Sequence, residues 1–196
     1  MRLLEYSSAD EFSLTEDIVD DNGIPPYVII SHTWRWGDEV TFQDIIDSTT
    51  KGKPGYEKIR FCGEQAKRDD SQYFWVDTCC INKSNHTKLS EAINSMFRWY
   101  QNVAKCYVYL SDFSSLGFNA DDQLSELSFE SAFRASRRFT PVWTLQELLA
   151  PSFEFFSREG HQLGNRWSSQ QKIHEMTGIP VQALQETLLS YKRTVS

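Results

Sequence analysis

The sequence predicts an α/β protein with a mainly parallel sheet flanked by helices. Four short apolar segments have the length of buried strands, and amphipathic segments with helical spacing lie between them. Strands that alternate with helices in this way favour crossover connections and parallel pairing. Because ligands bind beyond the carboxyl ends of such strands, the residues that follow each strand are the first candidates for a functional site.

The four predicted strands are rich in β-branched and aromatic residues, and three of them end in polar side chains. Ser31 and His32 end the first strand, Asp77 ends the second, and Ser111 with Asp112 ends the third. We expect these side chains to line one cleft, since the carboxyl ends of parallel strands share an edge. The predicted strands cover residues 27–31, 73–77, 106–112 and 153–156.

Helical periodicity is clearest over residues 87–104, where apolar side chains recur at intervals of three and four. Thr140 and Pro141 are typical of an N-cap and a first helical position. The stretch 113–133 is rich in Ser, Asp and Gly at its start and is interpreted as an insertion or flexible loop. Further helices are predicted over residues 55–68, 140–149, 168–178 and 180–189.

The charge balance argues against a nucleic-acid or membrane partner. The 196 residues include 20 Lys and Arg against 27 Asp and Glu, which gives a net charge of −7. Binding to phosphates or anionic lipids requires clustered cations. The N-terminus lacks the apolar core of a secretory signal, and no apolar run approaches the roughly 20 residues that span a bilayer. We therefore expect a soluble, cytoplasmic protein.

The sequence contains no pattern that indicates a metal site or a bound cofactor. Its four cysteines are too few for a disulfide framework, and Cys79 and Cys80 are adjacent, which is poor geometry for a tetrahedral metal. We expect them to be buried reduced thiols near a strand end. P-loop, GxGxxG and Ser-His-Asp patterns are missing, so kinase, P-loop NTPase and Rossmann dehydrogenase functions have no local support.

Three segments together resemble the heterokaryon-incompatibility (HET) domain of filamentous fungi. They are YVIISHTW at 27–34, the stretch from FWVDTCCINK to CYVYLSD at 74–112, and WTLQELLAP at 143–151. The resemblance implies a single domain over residues 1–196, with a core of about 27–160 and a C-terminal helical extension of about 165–196. It also implies a role in the cell death that follows fusion of genetically unlike cells.

The HET domain in turn resembles the TIR domain of immune proteins, which implies a TIR-like (flavodoxin-like) sheet with insertions. In a TIR domain one strand ends in Ser and the next in Asp, as Ser31 and Asp77 do here. Ser136 then begins the stretch that leads to Trp143 and Glu147. The matching Glu is catalytic in TIR domains that hydrolyse NAD, so the resemblance implies that Glu147 is a catalytic residue.

The chemistry of NAD cleavage agrees with a single carboxylate. Ordinary glycosidases need two carboxyl groups, one of which protonates the leaving oxygen. Nicotinamide already leaves from a cationic ring, so one carboxylate that stabilises the oxocarbenium-like transition state suffices. The alternative for Glu147 is an exposed helix residue, and Trp143 is either a core residue or a stacking wall for a base.

Other candidate binding residues lie beside the first two strands. His32 is a general base, a hydrogen-bond donor to the ligand, or a polar residue that caps a strand. Trp34, with Trp36, stacks on an aromatic ligand or serves self-association. Asp77 and Asn82 bracket the loop that matches the ligand-gating loop of TIR domains, and the alternative for Asp77 is a bond to backbone amides of that loop.

The sequence-based hypothesis is an effector domain that hydrolyses the nicotinamide bond of NAD when it self-associates into dimers or higher oligomers. NAD or a related nucleotide such as NADP is then the substrate, and no further cofactor is needed. One alternative is a non-enzymatic module that signals through the same surfaces. The other is a domain that binds a nucleotide second messenger without turnover.

Overall fold

A computed structural model of the chain describes residues 1–8, 11–20, 23–116, 136, 150–165, 168–178 and 180–182. Strands and helices alternate through most of this part of the chain. A single turn of 3-10 helix, Thr50–Gly52, precedes the second helix. In chain order the elements are β1 (Leu4–Ser8), β2 (Glu11–Leu14), β3 (Tyr27–His32), α1 (Phe42–Ile46), α2 (Tyr56–Arg68), β4 (Tyr73–Trp75), α3 (His86–Asn102), β5 (Lys105–Tyr109), β6 (Phe153–Phe156), β7 (Gln162–Asn165) and α4 (Gln170–Thr177).

The strands form one seven-stranded sheet in the order β2-β1-β4-β3-β5-β6-β7. The four central strands, β4, β3, β5 and β6, are parallel to one another. The outer pairings β1–β2, β1–β4 and β6–β7 are antiparallel. The α/β class is therefore confirmed, but the sheet is mixed rather than mainly parallel. The difference arises because short strands before β3 and after β6 extend both edges.

All four predicted strands are present. β3 and β6 match their predicted ranges within one residue, whereas β4 and β5 end before Asp77 and Ser111. These polar residues follow the last paired residue of each strand, which still puts them at the carboxyl edge of the sheet. The sequence did not predict β1, β2, β7 or α1.

Helices α2 and α3 cover opposite faces of the sheet. Phe61 of α2 packs against Tyr109 and Phe156, with ring centroids 4.9 and 5.0 Å away. On the other side, Tyr27 donates a hydrogen bond of 2.8 Å to the carbonyl of Trp99 in α3. Because strand side chains alternate between faces, each strand residue belongs to either an α2 face or an α3 face. Burial of both faces explains why β3 is apolar along nearly its whole length.

The helix ends follow ordinary capping chemistry. The Asn85 side chain accepts a hydrogen bond from the Lys88 amide at the start of α3, and α4 ends at Gly178 with φ 73°. These bounds confirm the helices predicted over 55–68, 87–104 and 168–178. The helix predicted over 140–149 and residues 117–133 of the predicted insertion lie outside the described residues, as does 183–189 of the last predicted helix.

The four cysteines are buried and form no disulfide, as predicted. Burial raises the pKa of Cys62 and Cys79 well above the usual value of a thiol, and the neighbouring cysteines add to that effect. These sulfurs are therefore protonated core groups at neutral pH. Among the described residues, no helix combines the length and the apolar character that crossing a bilayer requires.

Candidate functional site

His32 and Asp77 meet at the carboxyl edge of the sheet, where β3 and β4 end side by side. The two side chains approach with His32 Nε2 at 3.2 Å from Asp77 Oδ1. The His32 side chain is 1% exposed and the Asp77 side chain 19%. Asp77 lies in the loop that follows β4. Its carboxylate contacts two side chains, those of His32 and Trp34. The sequence predicted that both residues would lie at this shared edge, but it did not predict that they pair with each other.

Trp34 lies over the same carboxylate. Its indole Nε1 donates a hydrogen bond of 2.9 Å to Asp77 Oδ2, and the ammonium of Lys83 lies 3.7 Å from the centre of its ring. Such a cation over an indole face stabilises both side chains. Trp34 is 45% exposed, so part of the ring remains open to a ligand. The neighbouring Trp36 is fully exposed at the tip of the loop.

A buried ion pair that the sequence analysis missed extends this cluster. Lys58 Nζ lies 2.6 and 2.8 Å from the two carboxylate oxygens of Glu39, and 3.0 Å from His32 Nδ1. Lys58 comes from the first turn of α2, and Glu39 comes from the loop after β3. Glu39 also accepts a hydrogen bond of 2.7 Å from the amide of Arg35, which ties the base of that loop. We refer to Glu39, Lys58, His32, Asp77 and Trp34 as the edge network.

The charges of the edge network shift one another's ionisation. Burial by itself would raise the pKa of Asp77, but His32, Lys83 and the indole N–H of Trp34 lower it further than burial raises it. Burial lowers the pKa of Lys58, and Glu39 and Asp77 oppose that change. Burial likewise lowers the pKa of Lys83, opposed mainly by Asp77. Asp77 is thus a carboxylate at neutral pH.

Ser31 is not part of this cluster. Successive strand residues point to opposite faces, and His32 pairs in register with Tyr109 on the α2 face. The Ser31 side chain therefore lies on the α3 face of the sheet, where the residue is 2% exposed. Alternation along the strand therefore separates the Ser31 and His32 side chains, and the prediction that Ser31 binds a ligand stays untested.

Asn82 lies in the loop between β4 and α3, next to Lys83. Its side-chain oxygen accepts hydrogen bonds from the amide and the hydroxyl of Ser84, at 3.2 and 2.6 Å. The residue lines a separate cleft of about 200 Å³, together with Arg2 and Lys88. That volume is smaller than the 300–1,000 Å³ that is usual for drug-sized ligands. The prediction that Asn82 binds a ligand remains untested.

Polar residues also follow β5 and β6. Asp112 accepts a hydrogen bond of 2.7 Å from Ser136, which brings the start of the predicted motif stretch to the carboxyl edge. Beyond β6, Glu159 accepts hydrogen bonds from the Ser114 hydroxyl at 2.7 Å and the Ser115 amide at 3.0 Å. Ser115 in turn lies 2.9 Å from His161 Nδ1. This second cluster ties the β6–β7 hairpin to the segment after β5.

Glu147 and Trp143, the remaining predicted site residues, lie outside the described residues. Within the described ranges, no group of three or more His, Cys, Asp or Glu side chains is placed to hold a metal ion. The edge network instead offers a carboxylate, an imidazole and an open indole surface. Such groups suit hydrogen bonding to sugar hydroxyls and stacking on a planar base.

Comparison with known proteins identifies the class. Residues 27–177 match the family described as Heterokaryon incompatibility protein (HET), and the chain belongs to that family. It is similar to the "Vegetative incompatibility protein HET-E-1" of Podospora anserina, with 53% identity over 192 residues. That alignment covers 97% of this chain but only 14% of the relative, so the chain spans a small part of the relative's length. No solved structure matches the chain significantly.

Proposed function

We propose that this HET domain is a cell-death effector of heterokaryon incompatibility that hydrolyses the nicotinamide glycosidic bond of NAD when it self-associates. The observation that carries the proposal is the edge network, in which Asp77, His32 and Trp34 converge beyond the carboxyl ends of two adjacent parallel strands. The name of the similar Podospora protein supports the incompatibility role.

The strand order supports a TIR-like, flavodoxin-like fold. Taken alone, the parallel strands follow the order β4-β3-β5-β6, which is second, first, third and fourth along the chain. Flavodoxin-like sheets have this order, and they bind their ligand outside the carboxyl ends where the order reverses. Here that reversal lies between β3 and β5, so His32 borders the position where such a fold binds a nucleotide.

The roles of the residues follow from the reaction. In the proposal, Asp77 accepts hydrogen bonds from ribose hydroxyls, as acidic residues do in dinucleotide-binding folds. The exposed part of Trp34 stacks on a planar ring of the substrate. Glu147 stabilises the oxocarbenium-like transition state as neutral nicotinamide departs, so no general acid is required.

Nicotinamide release from NAD by the purified domain tests the proposal over a range of protein concentrations. We expect the rate per molecule to rise with self-association, and Glu147→Gln to lower kcat by about 10³-fold. Asp77→Asn should mainly raise KM, by roughly 10- to 100-fold, because a charged hydrogen bond to the substrate is lost. Glu64→Gln, a change of an exposed acid on α2, is the matched control. Equal release by the wild type and Glu147→Gln would remove Glu147 from the mechanism.

The exposed Trp36 favours a second candidate, a non-enzymatic module that acts by self-association. This side chain is fully exposed on a loop whose base is held by Glu39. Exposed, pre-positioned tryptophans are typical anchors of protein interfaces. This candidate predicts that light scattering detects oligomers of the wild type without nucleotide and that Trp36→Ala does not form them. It also predicts that the oligomers release no nicotinamide from NAD. Binding heat in calorimetry without product would instead indicate a nucleotide sensor.

A further inference from the structure

The hydrogen-bond capacity of Lys58 constrains the ring of His32. A lysine ammonium has three protons to donate and accepts none. Its three shortest contacts are the two oxygens of Glu39 at 2.6 and 2.8 Å and His32 Nδ1 at 3.0 Å. A fourth contact, to the carbonyl of Thr33, is longer at 3.4 Å. The protons of Lys58 are therefore fully used if His32 Nδ1 is an acceptor.

A proton on His32 Nδ1 is unfavourable for two reasons. A proton on His32 Nδ1 would face the ammonium of Lys58 at 3.0 Å, which brings two donors together. The carbonyl of Thr33 is the other acceptor near Nδ1, at 3.4 Å. That distance is too long to compensate for the lost bond and the repulsion. His32 is buried, so water does not readily replace either partner.

We propose that Lys58 is a positioning residue that holds His32 as the neutral tautomer with its proton on Nε2. Nε2 then carries the proton and lies 3.2 Å from Asp77 Oδ1, a contact that is close but is not aligned as a hydrogen bond, and the ring has no free lone pair. In this state His32 is a hydrogen-bond donor to a ligand oxygen, and it does not act as a general base. Glu39 supports the arrangement because it holds the ammonium of Lys58 against Nδ1.

The inference has a consequence for the reaction, which rests on the proposed function. Hydrolysis of the glycosyl cation requires a group that takes a proton from the attacking water. If Lys58 occupies the acceptor nitrogen of His32, that proton goes elsewhere, and His32 can act toward a ligand only as a hydrogen-bond donor. Of the three roles considered for His32, Lys58 thereby excludes that of general base.

The nitrogen-15 NMR spectrum of the imidazole of His32 in the full chain tests the inference at neutral pH without NAD. The long-range couplings to the ring protons separate the two neutral tautomers and the doubly protonated ring. We expect the wild type to give the pattern of the Nε2–H tautomer alone. Lys58→Met should abolish that single pattern, because Nδ1 loses its donor. The control Lys88→Met removes another paired lysine, 2.7 Å from Asp17 and outside the edge network, and should leave the spectrum unchanged.

Two outcomes would overturn the inference. One is a wild-type ring with its proton on Nδ1 or on both nitrogens, and the other is an identical His32 spectrum in the wild type and Lys58→Met. The wild-type spectrum decides by itself if Lys58→Met does not fold. The result is also independent of catalysis, since nicotinamide release tests the proposed function and the spectrum tests the role of Lys58.

Discussion

Replacing Glu39 with Gln should destabilise the domain more than any surface charge change does. The side chains of Glu39 and Lys58 are only 14% and 9% exposed, and their closest atoms are 2.6 Å apart. Removing one partner of a buried pair costs about 3–5 kcal/mol, because the remaining charge loses its counterion. Asp77 also acts on Lys58 and offsets part of that loss. We therefore expect the low end of the range, about 3 kcal/mol.

Urea unfolding followed by circular dichroism measures this cost. The control is Glu57→Gln on α2, since Glu57 pairs with Arg60 at 2.6 Å but both side chains are more than half exposed. That substitution should cost no more than about 0.5 kcal/mol. The double variant Glu39→Leu with Lys58→Met removes both charges and should recover much of the stability. If Glu39→Gln and Glu57→Gln cost the same, the buried pair is not a stabilising feature and the argument fails.

Three further outcomes follow from local contacts. Burial would raise the pKa of Glu159, but hydrogen bonds from neighbouring serines and amides lower it to about 2, below its usual value of 4.5. The stabilisation by the Glu159 carboxylate is thus complete above pH 4.5 and is lost as the pH falls toward 2. Over that range the free energy of unfolding, measured with urea, should fall by up to about 3 kcal/mol more for the wild type than for Glu159→Gln. Gly55→Ala puts a Cβ 2.6 Å from the backbone oxygen of Asp38 and should cost about 1–3 kcal/mol in thermal unfolding, whereas Gly52→Ala, with open space around it, should not. Asn85→Ala removes the cap of α3 and should cost about 1 kcal/mol by urea unfolding, and an unchanged midpoint would contradict the capping role.

The central strands were predictable because burial on both faces gives them an unmistakable composition. The run from Tyr27 to Ile30 is apolar at every position, and helices pack on both sides of it. The outer strands β1, β2 and β7 carry no such signal, since they are short and mix polar with apolar residues. Their pairing depends on tertiary contacts that periodicity does not encode.

The candidate site was predictable only where it depends on strand ends. His32 and Asp77 follow adjacent parallel strands, so the shared edge brings them together. Strand alternation was also available from the sequence and separates Ser31 from His32. Lys58 and Glu39 were not predictable, because one lies in the first turn of α2 and the other in a loop, 26 and 7 positions from His32. Only the packing of α2 on the sheet brings these charges to the ring.

The buried cysteines give this domain internal reporters of local opening. Cys62 lies on α2, Cys106 in β5, and Cys79 with Cys80 between β4 and α3, so the thiols sample different elements of the fold. A thiol reagent reacts only with an accessible sulfur, and burial removes that access from all four thiols. Labelling rates therefore measure how often each element opens, with no introduced probe. For the same reason, peroxide can damage these sulfurs only in molecules that have already opened.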